Sequence, residues 1–293
     1  MTFQQFMRVA RPPTLTATVV PLFAGGAIAW TTGHFVWWCW LDIMAIAFIM
    51  QIAANMLNEY FDWNRGEDNA ESLGIGGIIV SGEVTPQAVL RGALLLYAIA
   101  LILGLVLVWF RGYILLIIGI LAILGGFLYT GGPYPISATP FGELMVLTIM
   151  GPLEVLGTTY AAAGEMTATA WIVSWPVGIS VATILLANNL RDHVKDAQHG
   201  RRTIPIILGV NGGFKVLKLM VLIILLWITG AVILKALPLA MLVIWAALPL
   251  AILTVRQLQA PHALRRAVPI VGRLHLIFGA LITVGILWSR IGH

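Results

Sequence analysis

The chain predicts an all-α membrane bundle of about nine spanning helices around a central cavity, with cap loops at one end, and three observations predict it. Hydrophobic residues make up 60% of the 293 positions and charged residues only 10%. Apolar runs repeatedly reach the ~18–20 residues needed to cross a hydrocarbon core of ~30 Å. The runs are solidly apolar and lack the alternation that a membrane barrel requires.

The first run, near 14–31, follows MTFQQFMRVARPP. Basic residues precede it, but it continues to Trp30 with no small-residue cleavage site, so it reads as a retained helix. Further runs lie near 38–60, 88–109, 112–130, 141–162, 169–189, 214–234, 237–255 and 270–289. The whole reads as one domain of two pseudo-repeats, about 14–130 and 141–255, with a ninth helix added. Cys39 is the single cysteine, which excludes an internal disulfide and a thiolate metal cluster.

Orientation follows from the 17 Lys and Arg residues. With a cytoplasmic N-terminus, only Arg111, Lys235 and Arg290 fall outside, and the other fourteen lie on the cytoplasmic side. A miscount of one span would erase that asymmetry. The net charge of +5 is therefore a topology signal and gives no reason to propose nucleic acid as a partner; the partner it implies is the lipid bilayer of a bacterial or archaeal cell.

The acidic residues gather in two stations on the cytoplasmic side. Glu59, Asp62, Glu67, Asp68 and Glu71 follow the second run, and Asp192 and Asp196 follow the sixth. At helical spacing Asn55, Asn58 or Glu59, and Asp62 share a face, as do Asn188, Asp192 and Asp196. Two carboxylates ~4 Å apart repel by roughly 4 kcal/mol at an effective dielectric near 20, so a cation belongs between them. The candidates are Mg²⁺, which suits hard oxygen ligands and completes its shell with water and phosphate, or nearby basic residues. Arg65, Arg191, Lys195, Arg201 and Arg202 surround the stations, as a diphosphate site or as topology signals alone. Glu67 and Glu71 lie off the stripe and read as solvated loop charges.

The segments NMLNEYFDWNRGED (55–68) and NNLRDHVKDAQHGRRT (188–203) resemble the paired Asp-rich motifs of the UbiA superfamily of intramembrane aromatic prenyltransferases. The likeness is greatest to its menaquinone branch, with Asn55, Asn58, Tyr60, Asp62, Gly66 and Asp68 in step. RPPTL (11–15), GIGGIIVSGEV (74–84) and YTGGPYPISATPFGEL (129–144) extend the likeness over nearly the whole chain. Glu59 stands where that branch usually has Asp.

The resemblance implies Mg²⁺-dependent transfer of a polyprenyl group from an isoprenyl diphosphate to an aromatic acceptor, 1,4-dihydroxy-2-naphthoate, with release of carbon dioxide and diphosphate. It assigns Asp62, Asp68, Asp192 and Asp196, with Glu59, to metal. Asn55, Asn58 and Asn188 go to the metal shell or phosphate, and Lys195, Arg201 and Arg202 to the diphosphate. Arg11 is for acceptor carboxylate or diphosphate, and Tyr129 lies at the depth of the stations. GIGGIIVSGEV becomes a bend in a cap, since a dinucleotide loop needs a preceding strand. Glu154, mid-span in the fifth run, is a buried structural acid, a hydrogen-bond donor or a partner for the acceptor. Other phenolic acceptors (4-hydroxybenzoate, homogentisate) and a cation-coupled transporter are the alternatives. A transporter calls for acids deep in several helices, and Glu154 alone meets that description.

Overall fold

A computed structural model describes residues 1–67, 77–260 and 262–291. Thr2 and Gln5 form a reciprocal capping box that starts α1 (Phe3–Ala10), a short helix the apolar runs do not announce. Arg11 adopts a left-handed conformation (φ 51°), and Pro12–Leu15 then makes a 3₁₀ turn into α2 (Thr16–Thr32). Then follow α3 (Trp37–Asn64), α4 (Pro86–Arg111) and α5 (Ile114–Thr130). Thr85 caps α4 on the backbone of Ala88, and Pro86 occupies a first-turn position where its missing N–H costs nothing.

The fifth span is composite: α6 (Gly142–Thr148), a π segment (Ile149–Leu153) containing Pro152, and α7 (Glu154–Ala163). Helices α8 (Ala168–Gln198) and α9 (Ile204–Ile233) follow. The eighth span begins as a 3₁₀ stretch (Leu239–Ala247) and continues as α10 (Leu248–Leu258), and α11 (Ala267–Ile291) closes the chain. Among the described residues eight helical stretches are long and apolar enough to cross a membrane, and Ile114–Thr130 supplies a shorter apolar ninth.

Glu59 and Asp62 of the first station and both acids of the second lie on helix; Glu67 follows α3, and Asp68 and Glu71 lie outside the described residues. The apolar runs end near 60 and 189, but the backbone continues to Asn64 and Gln198. Asn, Glu, Asp, Arg and Lys all tolerate a helix interior. The first residues that force a stop are Gly66 and Gly200, both at φ 73°, just past the C-caps Arg65 and His199.

The main core joins α2, α8, α9, the 239–247 segment and α11 through Ile28, Val177, Ile224, Met241 and Phe278. A second cluster packs Ile78, Ile79 and Val84 on Met56 of α3 and Val89 of α4, which folds the segment after residue 77 over the ends of those helices. Leu94, Leu95, Ile102 and Trp109 of α4 and Ile117, Leu121 and Leu124 of α5 remain exposed, a lipid-facing surface by composition. At the end of the bundle away from the stations, Arg111 donates to the carbonyl of Ala162, and Arg290 to that of Trp30.

Candidate active site

Asn55, Asn58, Glu59 and Asp62 occupy the last turns of α3. Asn55 is buried and donates from Nδ2 to the Ala10 carbonyl (2.8 Å) and to Thr14 Oγ1 (2.9 Å), which fastens the N-terminal turn to α3. Asn58 Oδ1 accepts from Thr130 Oγ1 at the end of α5.

Glu59 is tied into the fold on both sides. Its side chain is 1% exposed, Oε2 accepts from Arg11 Nη2 (2.8 Å) and Oε1 accepts from the backbone N–H of Ile78 (2.8 Å). Both oxygens are thus engaged by the fold, and Glu59 anchors the N-terminal turn and the cap. The cap segment thus places a backbone amide on Glu59; residues 74–76 of GIGGIIVSGEV and Asp68 lie outside the described residues.

A chain of ion pairs joins the two stations. Asp62 accepts from Arg65 Nη2; Arg65 Nε donates to Glu67 Oε1 (2.6 Å); Arg201 Nη1 donates to Glu67 Oε2 (3.0 Å). Arg201 Nε stands 3.7 Å from Asp196 Oδ1, and its Nη2 donates to the Ser137 carbonyl (3.0 Å). Burial pulls the Arg201 pKa down, but Asp196, Glu67 and Asp62 outweigh it and hold the group above the usual guanidinium range, so it stays charged. The basic residues thus supply the interleaving cations that the carboxylates require. Beside them Arg191 grips Asp192 with two bonds (2.7 and 2.6 Å) and reaches Asn188 Oδ1 (2.7 Å).

Lys195 is half-buried, one turn along α8 from Arg191. Arg202 is not brought in: its backbone N–H donates to the Ala138 carbonyl (2.8 Å), and its side chain is exposed. Two further acids belong to the site region. Glu67 bridges the stations rather than standing in solvent, and buried Glu143 accepts from Asn189 Nδ2 (2.9 Å). The available signal for Glu143 was its place as the one acid inside the 129–144 motif.

Below this rim a cavity of about 410 Å³ opens among α2 to α8. Arg11, Asn55, Asn58, Tyr129, Thr130 and Asn188 line its mouth, whereas Asp62, Asp192, Asp196, Lys195 and Arg201 stand outside its wall along the rim. The deeper walls are mostly apolar, with Ile46, Met50, Leu105, Ile120 and Leu153 among the residues.

Among the described residues no three His, Cys, Asp or Glu side chains close into a protein-only metal cage. Mg²⁺ takes one or two carboxylates and completes its octahedron with water and phosphate oxygens. The hard-oxygen donors Asp62, Asp192 and Asp196, set among guanidinium groups, suit a magnesium diphosphate better than a bare ion.

The UbiA prenyltransferase family model matches residues 18–281. Over 289 residues, 98% of this chain and 93% of the relative, the chain is 34% identical to the 1,4-dihydroxy-2-naphthoate octaprenyltransferase of Bacillus subtilis (strain 168). It is 36% identical over 208 residues to the enzyme of that name from Mycobacterium tuberculosis, covering 71% and 70% of the two chains. The apo structure of a UbiA homolog from Aeropyrum pernix K1 superposes with a TM-score of 0.70 at 18% identity, covering 94% and 98% of the chains. A UbiA homolog from Archaeoglobus fulgidus bound to DMAPP and Mg²⁺ gives 0.67 at 16%, covering 96% and 99%, and these two likenesses establish the shared fold. With its apolar helices, paired stations and matched residues 18–281, the chain belongs to the UbiA prenyltransferase family and is an integral membrane protein.

Proposed function

We propose that this protein transfers a polyprenyl group from an isoprenyl diphosphate to 1,4-dihydroxy-2-naphthoate, giving the demethylmenaquinone skeleton with release of carbon dioxide and diphosphate. The single observation that carries the reading is the convergence of two carboxylate stations, from α3 and α8, over the mouth of an apolar cavity. The names of the relatives from Bacillus subtilis and Mycobacterium tuberculosis support the acceptor, and the DMAPP and Mg²⁺ bound to the Archaeoglobus fulgidus homolog support the donor class and the metal.

Asp62, Asp192 and Asp196, with Asp68 by its motif position, would hold Mg²⁺, and the bound ion supplies charge neutralisation for the departing diphosphate. Arg201 and Lys195 are assigned to the diphosphate oxygens, with Asn55, Asn58 and Asn188 as amide partners at the mouth. Arg11 keeps one guanidinium edge on Glu59, and its buried Nε has no protein partner, which suits it to the acceptor carboxylate. The allylic C–O bond breaks with its electron pair leaving on diphosphate, and the carboxyl-bearing ring carbon bonds the allylic carbon. The ring carboxylate departs as carbon dioxide and returns its pair to the ring. Apolar walls keep water from the allylic cation, and the mouth residues hold ring and allylic carbon in contact. The charge asymmetry supports a site on the cytoplasmic side.

Purified protein in detergent, given Mg²⁺, a labelled prenyl diphosphate and a panel of naphthoate, 4-hydroxybenzoate and homogentisate, tests the assignment. Diphosphate release and product with the naphthoate are expected. Product from another phenol alone would move the acceptor, and no diphosphate release with any acceptor would contradict the enzyme reading.

A further inference from the structure

Just inward of the rim, two polar side chains face the cavity with no partner in the fold. Gln51 sits at the centre of the α3 face that lines the cavity, with Ala47 and Met50 on one side of it and Ala54 and Asn55 on the other. Among the described residues neither its amide nor the hydroxyl of Tyr97 on α4 makes a hydrogen bond. Both side chains are half-buried, and their polar atoms are open to the cavity rather than enclosed. The Thr18 and Thr158 hydroxyls, by contrast, are enclosed by protein and beyond the reach of a ligand. An amide in an apolar cavity loses water when the cavity fills, so it calls for a polar group on whatever fills it.

Their depth follows from helix pairing. Asn55 donates to the Ala10 carbonyl and to Thr14 Oγ1 and so holds the turn that carries Arg11; Gln51 is one helical turn, ~5.4 Å, further in along α3. Helices α3 and α4 run antiparallel, with the Trp38 ring on Phe110 (centroids 4.9 Å apart) at one end and Met56 filling the face of Gly92 at the other. That register brings Tyr97 level with Gln51, and its hydroxyl stands 3.4 Å from where a Cβ of Gly126 on α5 would lie. Glu154 is about two turns deeper, because Val36 at the start of α3 donates to the Ala162 carbonyl near the end of α7 (2.8 Å) and so fixes their antiparallel register. Inward of Tyr97 the wall made by α4 and α5 is apolar, and at Gly104 and Gly119 a Cβ would meet nothing within 4 Å.

We propose that Gln51 binds the acceptor's second ring hydroxyl, the one remote from the carboxylate, and is thereby a specificity-determining residue for a dihydroxylated aromatic ring. The proposal rests on the acceptor reading given above. With the carboxylate at Arg11, a ring directed inward along α3 carries that hydroxyl toward the Gln51 amide one turn below Asn55. The amide can both donate and accept, and the Tyr97 hydroxyl at the same level offers a second bond. The carboxyl-bearing carbon then stands nearest the mouth, where the allylic carbon of a diphosphate held at the rim arrives. A prenyl tail has no hydrogen-bonding group, and the room left at Gly104 and Gly119 gives it the apolar wall instead. A site built for a hydroxyl rejects the analogue that lacks it, because its own polar groups are then left unpaired.

The experiment compares equilibrium binding of 1,4-dihydroxy-2-naphthoate and 1-hydroxy-2-naphthoate to the purified protein with Mg²⁺ and a non-cleavable prenyl diphosphate analogue. Wild type should prefer the dihydroxy ring by at least about tenfold. Gln51→Leu should erase most of that preference while binding the prenyl analogue as wild type does. Its Tm should not fall, because no protein group loses a partner, whereas a merely structural glutamine would lower it. Gln51→Met, unbranched like the native side chain, gives the same readout should Leu prevent folding. A naphthoate-active wild type that lacks the preference, or whose Gln51 variants keep it in full, would overturn the role of Gln51 and leave the enzyme reading standing. A wild type that turns over another phenol but not the naphthoate would overturn both.

Discussion

The two carboxylate stations have similar residues at similar spacing, but the fold holds them differently. On α3, Glu59 is spent on architecture: it fixes Arg11 on one side and the Ile78 amide on the other, so the N-terminal turn and the cap meet at one buried carboxylate. On α8, Asp192 is held by Arg191 of its own helix, and Asp196 meets Arg201 only at 3.7 Å. The α3 station thus combines an anchor, Glu59, with a rim carboxylate, Asp62, whereas Asp192 and Asp196 of the α8 station both stand at the rim. An acidic stripe is therefore not uniformly a ligand set: both oxygens of Asp192 are also engaged, but by a neighbour on its own helix and at a part-exposed place, whereas Glu59 is fully buried between two other segments.

Variants can pull the two stations apart, beginning with the largest effect. Asp62→Asn and Asp192→Asn should each lower turnover by about 10³-fold, about 4 kcal/mol, with unfolding in detergent unchanged. Near-normal diphosphate release from both would remove the metal role. Glu59→Gln should act on stability instead: one partner of a buried pair is lost and Arg11 stays behind, at a cost of about 3 kcal/mol, read as a lower Tm. The folded fraction should keep its Mg²⁺ dependence, and a selective loss of Mg²⁺ affinity would return Glu59 to the ligand set.

Arg201→Lys keeps the charge but loses the fork that reaches Glu67 and the Ser137 carbonyl together. It should raise KM for the prenyl diphosphate about tenfold, about 1.4 kcal/mol, with the acceptor KM little changed; equal changes in both would contradict its place at the diphosphate.

The smallest effect lies at the edge of the cap. Hydrogen bonds from Arg8 and then Ser81 hold the Glu83 carboxyl below its ordinary range. A depressed folded pKa gives stability that is present above the ordinary carboxylate value and lost as pH falls through the lowered one. The Tm gap between wild type and Glu83→Gln should therefore close on acidification, and a gap independent of pH would contradict the pairing.

The spans were legible in the sequence because lipid demands long apolar runs, and no tertiary detail is needed to see them. The stations were legible as helical spacing. Their helices extend past the apolar runs because hydropathy reports burial in lipid, whereas the backbone stops at Gly66 and Gly200. The π segment at Pro152 and the 3₁₀ stretch before Leu248 were not legible, since neighbouring helices re-satisfy backbone groups in ways no local pattern encodes. Glu67 could not be ranked from sequence either: its role depends on Arg65 and Arg201, and the second is 134 residues away. Arg202, beside Arg201 in the chain, faces outward for the same reason, because Ala138 fixes its backbone rather than its charge.

The decisive experiment is a structure with Mg²⁺ and a non-cleavable prenyl diphosphate. Magnesium is expected ~2.1 Å from oxygens of Asp62 and of Asp192 or Asp196, all bridged by one diphosphate at the cavity mouth with the tail against α4 and α5. A diphosphate bound away from that mouth, or held by one station alone, would contradict the shared site.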